Sequence, residues 1–249
     1  MKDRKELIVE RFLQVRNLGF VKSRRKNNTG IGKTFEDYIG VVENNIDEPD
    51  LFGYEIKSHR EETASYITLF TKSPNFPSRA NSYLKDRFGV PYDDNPALKK
   101  LHTSMFASRF NTFGSGLSFR LVNDRMRGIV KIGVYDVVSK ELIDDSVGYT
   151  YDCLEKVLKK KLKDLFYVTA ERKFIDEDEY FFFSKAEIYS NPSIDKFLEL
   201  LDRGLIMFDI RIGSYKSGRN IGKAHDHGSG FRILESNLRL LFSERIAID

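Results

Sequence analysis

The chain of 249 residues has no tryptophan, a single cysteine and only six prolines. One cysteine, Cys153, excludes a disulfide framework and a cysteine-rich zinc site, and it favours a reducing compartment such as the cytoplasm. No apolar run reaches the ~20 residues that a membrane-spanning helix needs, and no secretory signal pattern follows Met1. We therefore expect a cytoplasmic protein that does not engage a membrane.

The chain also lacks a large excess of charge of one sign. It has 41 basic and 37 acidic residues, which gives a net charge of +4. The distribution of these charges says more than their sum. Residues 1–34 carry ten Lys/Arg and three Asp/Glu, whereas residues 35–62 carry nine acidic and two basic residues. A basic segment beside an acidic one fits a protein that holds a phosphate backbone on one side and a metal ion on the other.

With 41% hydrophobic residues, the chain can bury the core of one large domain or of two lobes. Hydrophobic periodicity predicts helices at 6–18, 78–88, 98–106, 151–165 and 192–201, and strands at 53–57, 64–72, 116–122, 128–138, 166–174 and 179–189. The first four strands are expected to form a central sheet, and the first two of them a hairpin. We predict a mixed α/β (α+β) fold with a catalytic lobe at 1–145 and a recognition lobe at 146–249, divided in the polar stretch 139–148.

The most informative group of polar residues surrounds the predicted strand at 53–57. Glu55 and Lys57 alternate along this strand and should project from one face, about 6.6 Å apart. Asp50 lies just before the strand, where the chain can fold its carboxylate towards the same point. Two carboxylates beside one ammonium suit a hard divalent cation with a water next to it, and thus metal-dependent phosphodiester hydrolysis. In a chain with 31% charged residues, the alternative is the solvated face of a strand.

The preceding residues 30–34 resemble the end of a nucleotide-binding P-loop. The first glycine of that motif would fall on Asn27, and no apolar strand precedes it, so nucleotide binding is excluded. Thr34 and Asp37 look instead like a capping pair that opens a helix. Glu36 would then lie in the first turn, either aimed at a metal ion or simply stabilised by the helix dipole.

Residues 22–30 form a basic, polar loop that ends in glycine. Arg24 and Arg25 in this loop, with the nearby Lys33, are candidate contacts to nucleic-acid phosphates, because Arg and Lys are common partners of the backbone. A solvated surface loop fits the same composition equally well.

A second informative stretch, 205–233, begins as an apolar strand and continues as a glycine-rich basic loop. Asp209 and Arg211 should project from the same face of that strand, with Arg232 on the following strand. Asp can accept from cytosine N4, and Arg can donate two hydrogen bonds to guanine, worth ~1–3 kcal/mol of discrimination for each good pair. These three side chains could therefore read neighbouring base pairs of a G·C-rich duplex.

Within the same loop, Tyr215, Arg219, His225 and His227 are further candidates for DNA contact. His-x-His is also a known metal-binding pair. No third and fourth ligand of the right kind lies nearby in the sequence, so zinc is the weaker interpretation. A long basic hairpin without a ligand remains the alternative to both.

Residues 49–57 (PDLFGYEIK) resemble the core motif of the PD-(D/E)xK nucleases. Residues 30–36 (GIGKTFE) resemble the segment that carries the extra upstream glutamate of their MutH-like branch. The Asp-x-Arg of residues 209–211, followed by a segment rich in Gly, His and Arg, resembles the reading element of the MvaI/BcnI family of Type II restriction endonucleases. The resemblance covers most of the chain and is specific at 29–60 and 205–233.

The resemblance implies a Mg²⁺-dependent endonuclease with two lobes around a cleft for double-stranded DNA. Asp50 and Glu55 would bind the metal together with the Ile56 carbonyl, Lys57 would polarise the attacking water or steady the phosphate, and Glu36 would support the metal site. It also implies a short G·C-flanked site of the CCNGG kind, CCWGG for a protein of the MvaI type. The family further implies a monomer that nicks the two strands in succession, and a DNA methyltransferase as functional partner without a stable complex.

Two other functions stay open at this point. A MutH-like mismatch-repair endonuclease, which nicks one strand, would share Glu36, Asp50, Glu55 and Lys57. A DNA-binding module without catalysis would share only the basic segments.

Overall fold

The structure is a computed structural model of the chain, and it describes residues 2–27, 29–41, 50–61, 65–114 and 116–248. Pro49, the first residue of the predicted nuclease motif, lies outside these ranges. Among the described residues, no helix combines the length and the apolar character that crossing a bilayer requires.

The α-helices of the described residues are short and lie in both halves of the sequence. They are α1 (Arg4–Arg16), α2 (Gly30–Ile39), α3 (Ala80–Phe88), α4 (Tyr151–Lys161) and α5 (Ile194–Asp202). Two 3₁₀ segments, Gly218–Asn220 and Glu235–Leu241, follow later in the chain. The helices predicted at 78–88, 151–165 and 192–201 are thus confirmed with small shifts of their ends.

Strands make up the larger part of the fold. They are β1 (Val21–Lys22), β2 (Glu55–Arg60), β3 (Tyr66–Thr71), β4 (Val90–Pro91), β5 (Lys99–Met105), β6 (Leu117–Asp124), β7 (Ile129–Asp136), β8 (Leu142–Thr150), β9 (Asp164–Ile175), β10 (Asp178–Pro192), β11 (Ile206–Ser214), β12 (Ala224–Asp226), β13 (Gly230–Leu234) and β14 (Phe242–Ile248). The mixed α/β character predicted from the sequence is confirmed.

The chain forms two compact units that each draw on several segments. Unit 1 comprises residues 1–65, 158–192 and 242–249, and unit 2 comprises residues 66–157 and 193–241. The polar stretch 139–148 contributes to β8, and the chain passes between the units within α4. The division into functional lobes at 145/146 stays a prediction.

Unit 1 is built on a sheet with the order β1-β10-β9-β2, with β14 paired to β10. The pairing of β2 with β9 is parallel, from Glu55 opposite Leu165 to Arg60 opposite Ala170. Residues 164–168 of β9 are all buried, as is typical of a strand covered on both faces. Because the two strands run in the same direction, the start of β9 lies beside the start of β2.

Helices α1 and α2 pack on this sheet through an aromatic core. The Phe12 ring lies 6.0 Å from the Phe166 ring, and the Phe35 ring lies 4.9 Å from the Phe183 ring, between centroids. All four side chains are fully buried, and each contributes roughly 1.5–3 kcal/mol of transfer free energy by its burial. This core fixes the two helices against the sheet whose edge strand β2 carries Glu55 and Lys57.

The start of α1 is set by a capping box that periodicity alone does not locate. Asp3 Oδ1 accepts a hydrogen bond from the Glu6 amide at 2.7 Å, and Glu6 Oε2 accepts one from the Asp3 amide at 3.0 Å. These two bonds satisfy amides that have no partner within the helix, so α1 begins at Arg4 rather than at the predicted Glu6.

The predicted capping pair in α2 is wrong. The helix begins at Gly30, and the Thr34 hydroxyl donates to the Gly30 carbonyl at 2.6 Å and accepts from the Arg24 amide at 2.8 Å. Thr34 therefore ties the basic loop to the side of the helix instead of opening it. Glu36 consequently lies in the second turn and not in the first.

Unit 2 contains two further sheets among its described residues. One has the order β3-β13-β11-β5-β4, with β12 paired to β11, and the other has the order β6-β7-β8. The predicted hairpin of 53–57 with 64–72 is therefore wrong, because β2 pairs with β9 and β3 pairs with β13. The predicted central sheet of four strands is wrong for the same reason.

The segment predicted as a helix at 98–106 is strand β5. Leu98, Leu101 and Met105 are buried and spaced by three and four residues, which resembles helical periodicity. Pairing with β11 on one side and β4 on the other overrides that pattern. This strand brings His102 and Ser104 opposite Arg211 and Asp209 of β11.

Candidate active site

A tight turn brings Asp50 next to β2. Leu51 and Tyr54 exchange backbone hydrogen bonds of 3.2 and 2.8 Å, and Phe52 and Gly53 adopt positive φ angles of 50° and 82°. The turn directs Asp50 Oδ2 to the Ile56 amide at 2.7 Å. The predicted approach of Asp50 to the strand is therefore what the structure shows.

Glu55 and Lys57 lie on one face of β2, as their spacing predicts. Lys57 Nζ contacts Glu55 Oε1 at 3.0 Å, and the two side chains are 20% and 16% exposed. The ammonium is held beside the carboxylate but stays accessible to a substrate.

Electrostatic compensation of Asp50 is incomplete among the described residues. Burial raises the pKa of its carboxyl above the usual 3.8, and the nearby Glu55 carboxylate raises this pKa further. The hydrogen bond from the Ile56 amide and the charges of Lys57 and Lys161 act in the opposite direction. A partly desolvated carboxylate beside a second one is a site at which a bound cation lowers the free energy of the ionised form.

The donor set at this point consists of oxygen atoms, which suits Mg²⁺. Besides the two carboxylates it includes the carbonyl of Ile56, because the N–H and C=O of one strand residue point to the same side and the Ile56 amide faces Asp50. No group of three or more His, Cys, Asp or Glu side chains arranged for a metal occurs among the described residues. The residues fit a Mg²⁺ ion that keeps several water or substrate ligands.

Glu36 lies on α2, which packs against β2. Its side chain is half-buried, and Oε1 lies 3.8 Å from the position that a β-carbon on Gly32 would take. The carboxylate thus lies along its own helix, one turn back. A supporting role for Glu36 in the metal site stays a prediction.

Sequence reasoning missed two residues that adjoin this site. Arg4 lies 2.8 Å from Asp164 Oδ2, and its guanidinium stacks on the Tyr54 ring at 5.0 Å. The ion pair with the nearly buried Asp164 raises the pKa of Arg4. It joins the start of α1 to the start of β9, and no local pattern predicts a contact between residues 160 positions apart.

The basic loop of unit 1 lines a cavity of about 560 Å³ together with Arg60 and Arg172. Arg24 and Arg25 both belong to its lining, and the Arg24 guanidinium lies 5.0 Å from the centre of the Tyr38 ring. Lys33 instead pairs with Asp37 at 3.0 Å on α2. The loop thus carries two of the three predicted phosphate contacts into one cavity.

In unit 2, Asp209 holds two arginines at the centre of the second predicted site. Arg211 Nε lies 2.6 Å and Arg232 Nε lies 3.0 Å from Asp209 Oδ2, and the Ser104 hydroxyl donates to Oδ1 at 2.9 Å. Asp209 is 6% exposed. Both arginines and the aspartate lie together as predicted, but the carboxylate is engaged within the protein and positions the two guanidinium groups.

The arginines differ in how far they can reach outwards. Arg232 also donates to the Thr68 hydroxyl and to the Gly228 carbonyl, and its side chain is only 15% exposed. Arg211 is half exposed. The geometry therefore presents Arg211 most directly to a ligand.

Beside the arginines lies a row of aromatic rings. Tyr215 stacks on His225 at 4.3 Å, His225 lies 4.2 Å from His227, and His227 lies 6.1 Å from His102, between centroids. Burial lowers the pKa of His102, and the neighbouring His227 lowers it further. His102 is a member of this row that the sequence alone did not predict, because its place there depends on the pairing of β5 with β11.

The turn that carries the two histidines is organised by Asp226. Its carboxylate accepts from the amides of Gly228 and Ser229 at 3.0 and 2.6 Å, and from Asn81 at 2.8 Å. Arg219 lies in the exposed 3₁₀ segment of the same loop. All of the predicted contact residues between 209 and 232 thus belong to unit 2.

Known proteins resemble this chain in both sequence and structure. A sequence model described as the MvaI/BcnI restriction endonuclease family matches residues 9–242. A solved structure described as restriction endonuclease MvaI in complex with cognate DNA substrate is similar over 100% of both chains, with 35% identity and a TM-score of 0.88. A structure of restriction endonuclease MvaI in the absence of DNA matches over 100% of this chain and 99% of that chain, with 35% identity and a TM-score of 0.68. No curated protein matches the sequence.

Proposed function

The chain belongs to the MvaI/BcnI restriction endonuclease family and is a DNA-cleaving enzyme, and we propose that it is a Type II enzyme that hydrolyses double-stranded DNA with Mg²⁺ at a short G·C-flanked site. The site is of the CCNGG kind, and CCWGG if the reading residues act as in MvaI. Supporting this proposal is one observation above all, the convergence of Asp50, Glu55, Ile56 and Lys57 at the start of β2.

Each residue of this group has a distinct part in the proposed reaction. Asp50, Glu55 and the Ile56 carbonyl would hold Mg²⁺, which when bound supplies positive charge at the phosphoryl and leaving oxygens. Lys57, 3.0 Å from Glu55, orients the attacking water or steadies the phosphate. In-line attack forms a bond from the water oxygen to phosphorus and breaks the bond to the 3′ oxygen, leaving 5′-phosphate and 3′-hydroxyl ends. Glu36 supports this arrangement from α2.

We assign base reading to the surface of unit 2. Arg211 and Arg232 are the candidates for bidentate contacts to guanine, each worth ~1–3 kcal/mol of discrimination. Asp209 fixes both guanidinium groups and so restricts the directions in which they donate. The ring row of Tyr215, His225 and His227 and the exposed Arg219 adjoin these arginines and supply further contacts.

Contacts to the sugar–phosphate backbone fall to the basic loop of unit 1. Arg24 and Arg25 line one cavity with other cations. Lys33 contributes less in this proposal, because Asp37 already pairs with it.

We further propose an oligomeric state and a cellular compartment for the enzyme. The enzyme acts as a monomer, so the two strands are cut in two successive events and nicked circles precede linear DNA. Its substrate places it in the cytoplasm, where a DNA methyltransferase of the same specificity protects host DNA without forming a stable complex.

Plasmid cleavage tests this function. Purified wild-type protein and Asp50→Ala are incubated with plasmid DNA and increasing Mg²⁺, and the ends are mapped. Discrete fragments from the wild type alone, with nicked circles appearing first, are expected. Nicking of one strand without linear product would favour a MutH-like enzyme, and intact plasmid in both reactions at every Mg²⁺ concentration would overturn the proposal.

A further inference from the structure

A second basic cavity adjoins the candidate active site within unit 1. It has a volume of about 230 Å³. The described residues that line it are Arg4, Gly53, Glu55, Lys159, Lys160, Lys161, Lys163 and Asp164. Glu55 therefore belongs both to this cavity and to the group that includes Asp50 and Lys57.

The pairing of β2 with β9 creates this arrangement. Lys163 immediately precedes β9, and Leu165 lies opposite Glu55 in the parallel register. The lysines of residues 159–163 span the end of α4 and the connection to β9, so they are carried to the start of β2. In the sequence they look like the solvated end of an amphipathic helix, and only the strand pairing places them beside Glu55.

Positive charge predominates in the lining. It contains five cationic and two acidic side chains among the described residues. Of the two acids, Asp164 pairs with Arg4 at 2.8 Å and Glu55 pairs with Lys57 at 3.0 Å. The charge of Lys161 reaches as far as Asp50, whose pKa it lowers. The lysines thus create a positive potential at the edge of the catalytic group.

We propose that this cavity binds a backbone phosphate of the substrate DNA, next to the phosphate that is cut. Lysines suit a phosphodiester because each ammonium is a compact charge with three donors on a flexible stem. Arg4 is fixed by Asp164 and Tyr54 and forms the wall of the site, while Lys160 and Lys163 are exposed and reach the ligand. This inference rests on the proposed function, since it names a subsite of the same DNA.

A phosphate held here has a direct consequence for cleavage. The backbone is anchored on one side of Glu55, so the adjacent linkage is presented to Asp50, Glu55 and Lys57. Binding energy gained at one phosphate is thereby used to position the next one. The lysines act on the reaction through the position of the DNA and are positioning residues.

Neutral linkages in the DNA test the subsite. Duplexes with a single methylphosphonate at each position around the mapped cut are bound to Lys57→Ala protein and to the same protein with Lys160→Ala and Lys163→Ala. Lys156→Ala is the matched control, because Lys156 is exposed one turn earlier on α4 and does not line the cavity. Lys160→Arg with Lys163→Arg retains the charge.

One methylphosphonate beside the cut is expected to weaken binding by the parent protein and by the control, and to have no further effect on the double alanine variant. A plot of the logarithm of the binding constant against the logarithm of the salt concentration should be shallower by about 0.9 in that variant, because one fewer phosphate is neutralised. The variant with Lys160→Arg and Lys163→Arg should restore both the methylphosphonate effect and the salt slope. Equal methylphosphonate effects in parent and double alanine variant at every position would overturn this inference alone, whereas wild-type protein that neither binds nor cuts the duplex would overturn the proposed function and the inference together.

Discussion

Two carboxylates, Asp50 in unit 1 and Asp209 in unit 2, occupy opposite electrostatic situations. Asp50 accepts one described backbone hydrogen bond, and burial beside Glu55 raises its pKa. Asp209 is more deeply buried, but it accepts from Ser104 and pairs with two arginines. A bound cation would stabilise the first carboxylate, whereas the second is already paired with two cations of the protein itself.

In the proposed mechanism, this difference separates the residues of the reaction from those of DNA recognition. In unit 1, the negative charge of Asp50 is incompletely compensated, and this carboxylate lies where a metal ion and a phosphate would bind. In unit 2 the complete compensation fixes two guanidinium groups in orientation before any ligand arrives, which reduces the entropy lost on binding. The following substitutions test whether the two sites can be separated.

Loss of Lys57 should have the largest effect. Lys57→Ala is expected to slow single-turnover cleavage by at least about 100-fold, because the group that positions water or phosphate is lost. Binding of the same duplex should change little, since Lys57 is one cation among many. Lys5→Ala, an exposed lysine on α1, is the control and should cut at the wild-type rate. Cleavage by Lys57→Ala at that rate would remove Lys57 from the proposed mechanism.

Removal of the charge of Asp209 should have the next largest effect. Asp209→Asn keeps the shape but releases Arg211 and Arg232, so discrimination between the cognate duplex and a duplex with one changed G·C pair should fall by about 10-fold or more. Unfolding free energy should drop by about 2 kcal/mol, as measured by denaturant titration.

Ser104→Ala is the matched control for that variant. It removes a partner of Asp209 Oδ1 and leaves both arginine contacts to Oδ2 in place. Its discrimination should stay close to wild type. Equal discrimination by Asp209→Asn and wild type would show that the arginines do not depend on this carboxylate.

A smaller effect is expected from Gly213→Ala on β11. A β-carbon there would lie 2.5 Å from the Tyr92 hydroxyl and 2.8 Å from His227 Nε2, so the imidazole must shift. Binding of cognate DNA should weaken while the cleavage rate of saturated enzyme is kept. Gly114→Ala, whose nearest atom would be 3.6 Å away, is the control. Unchanged affinity of Gly213→Ala, measured by fluorescence anisotropy, would exclude the ring row from DNA contact.

The smallest effect concerns stability. Because the folded-state pKa of Asp50 is raised, the folded protein binds more protons than the unfolded chain between the usual 3.8 and the raised value, and stability falls as pH rises through that window. Asp50→Asn should therefore unfold at a higher temperature than wild type at neutral pH without divalent cations, and this advantage should disappear below pH 3.8. A variant less stable than wild type at neutral pH would contradict the account of Asp50.

The sequence predicted the elements whose determinants are local. The strands at 116–122 and 128–138 are the antiparallel pair β6 and β7, and the helix at 151–165 is α4 with a shorter end. The candidate catalytic group was found because Asp50, Glu55 and Lys57 lie within eight residues and one turn joins them. Periodicity and spacing are sufficient for such features.

Features that depend on distant pairing were missed. The parallel pairing of β2 with β9 joins residues 110 positions apart. This pairing also places Asp164 and the lysines of residues 159–163 beside Glu55. His102 was missed because the sequence of β5 has helical periodicity, and its pairing with β11 cannot be predicted from that pattern. The position of Asp209 on its strand was predicted, but its hydrogen bond from Ser104 was not, since that contact depends on the same pairing of β5 with β11.

Parallel measurement of cleavage and binding tests the central claim, that reaction and recognition reside in separate groups. Wild type, Asp50→Asn and Arg211→Ala are compared on one duplex that contains the mapped site, by single-turnover cleavage at saturating protein and by equilibrium binding. Asp50→Asn should bind as wild type and not cut, and Arg211→Ala should bind weakly yet cut at nearly the wild-type rate once saturated. Loss of binding in Asp50→Asn, or loss of the saturated cleavage rate in Arg211→Ala equal to that of Asp50→Asn, would contradict the separation.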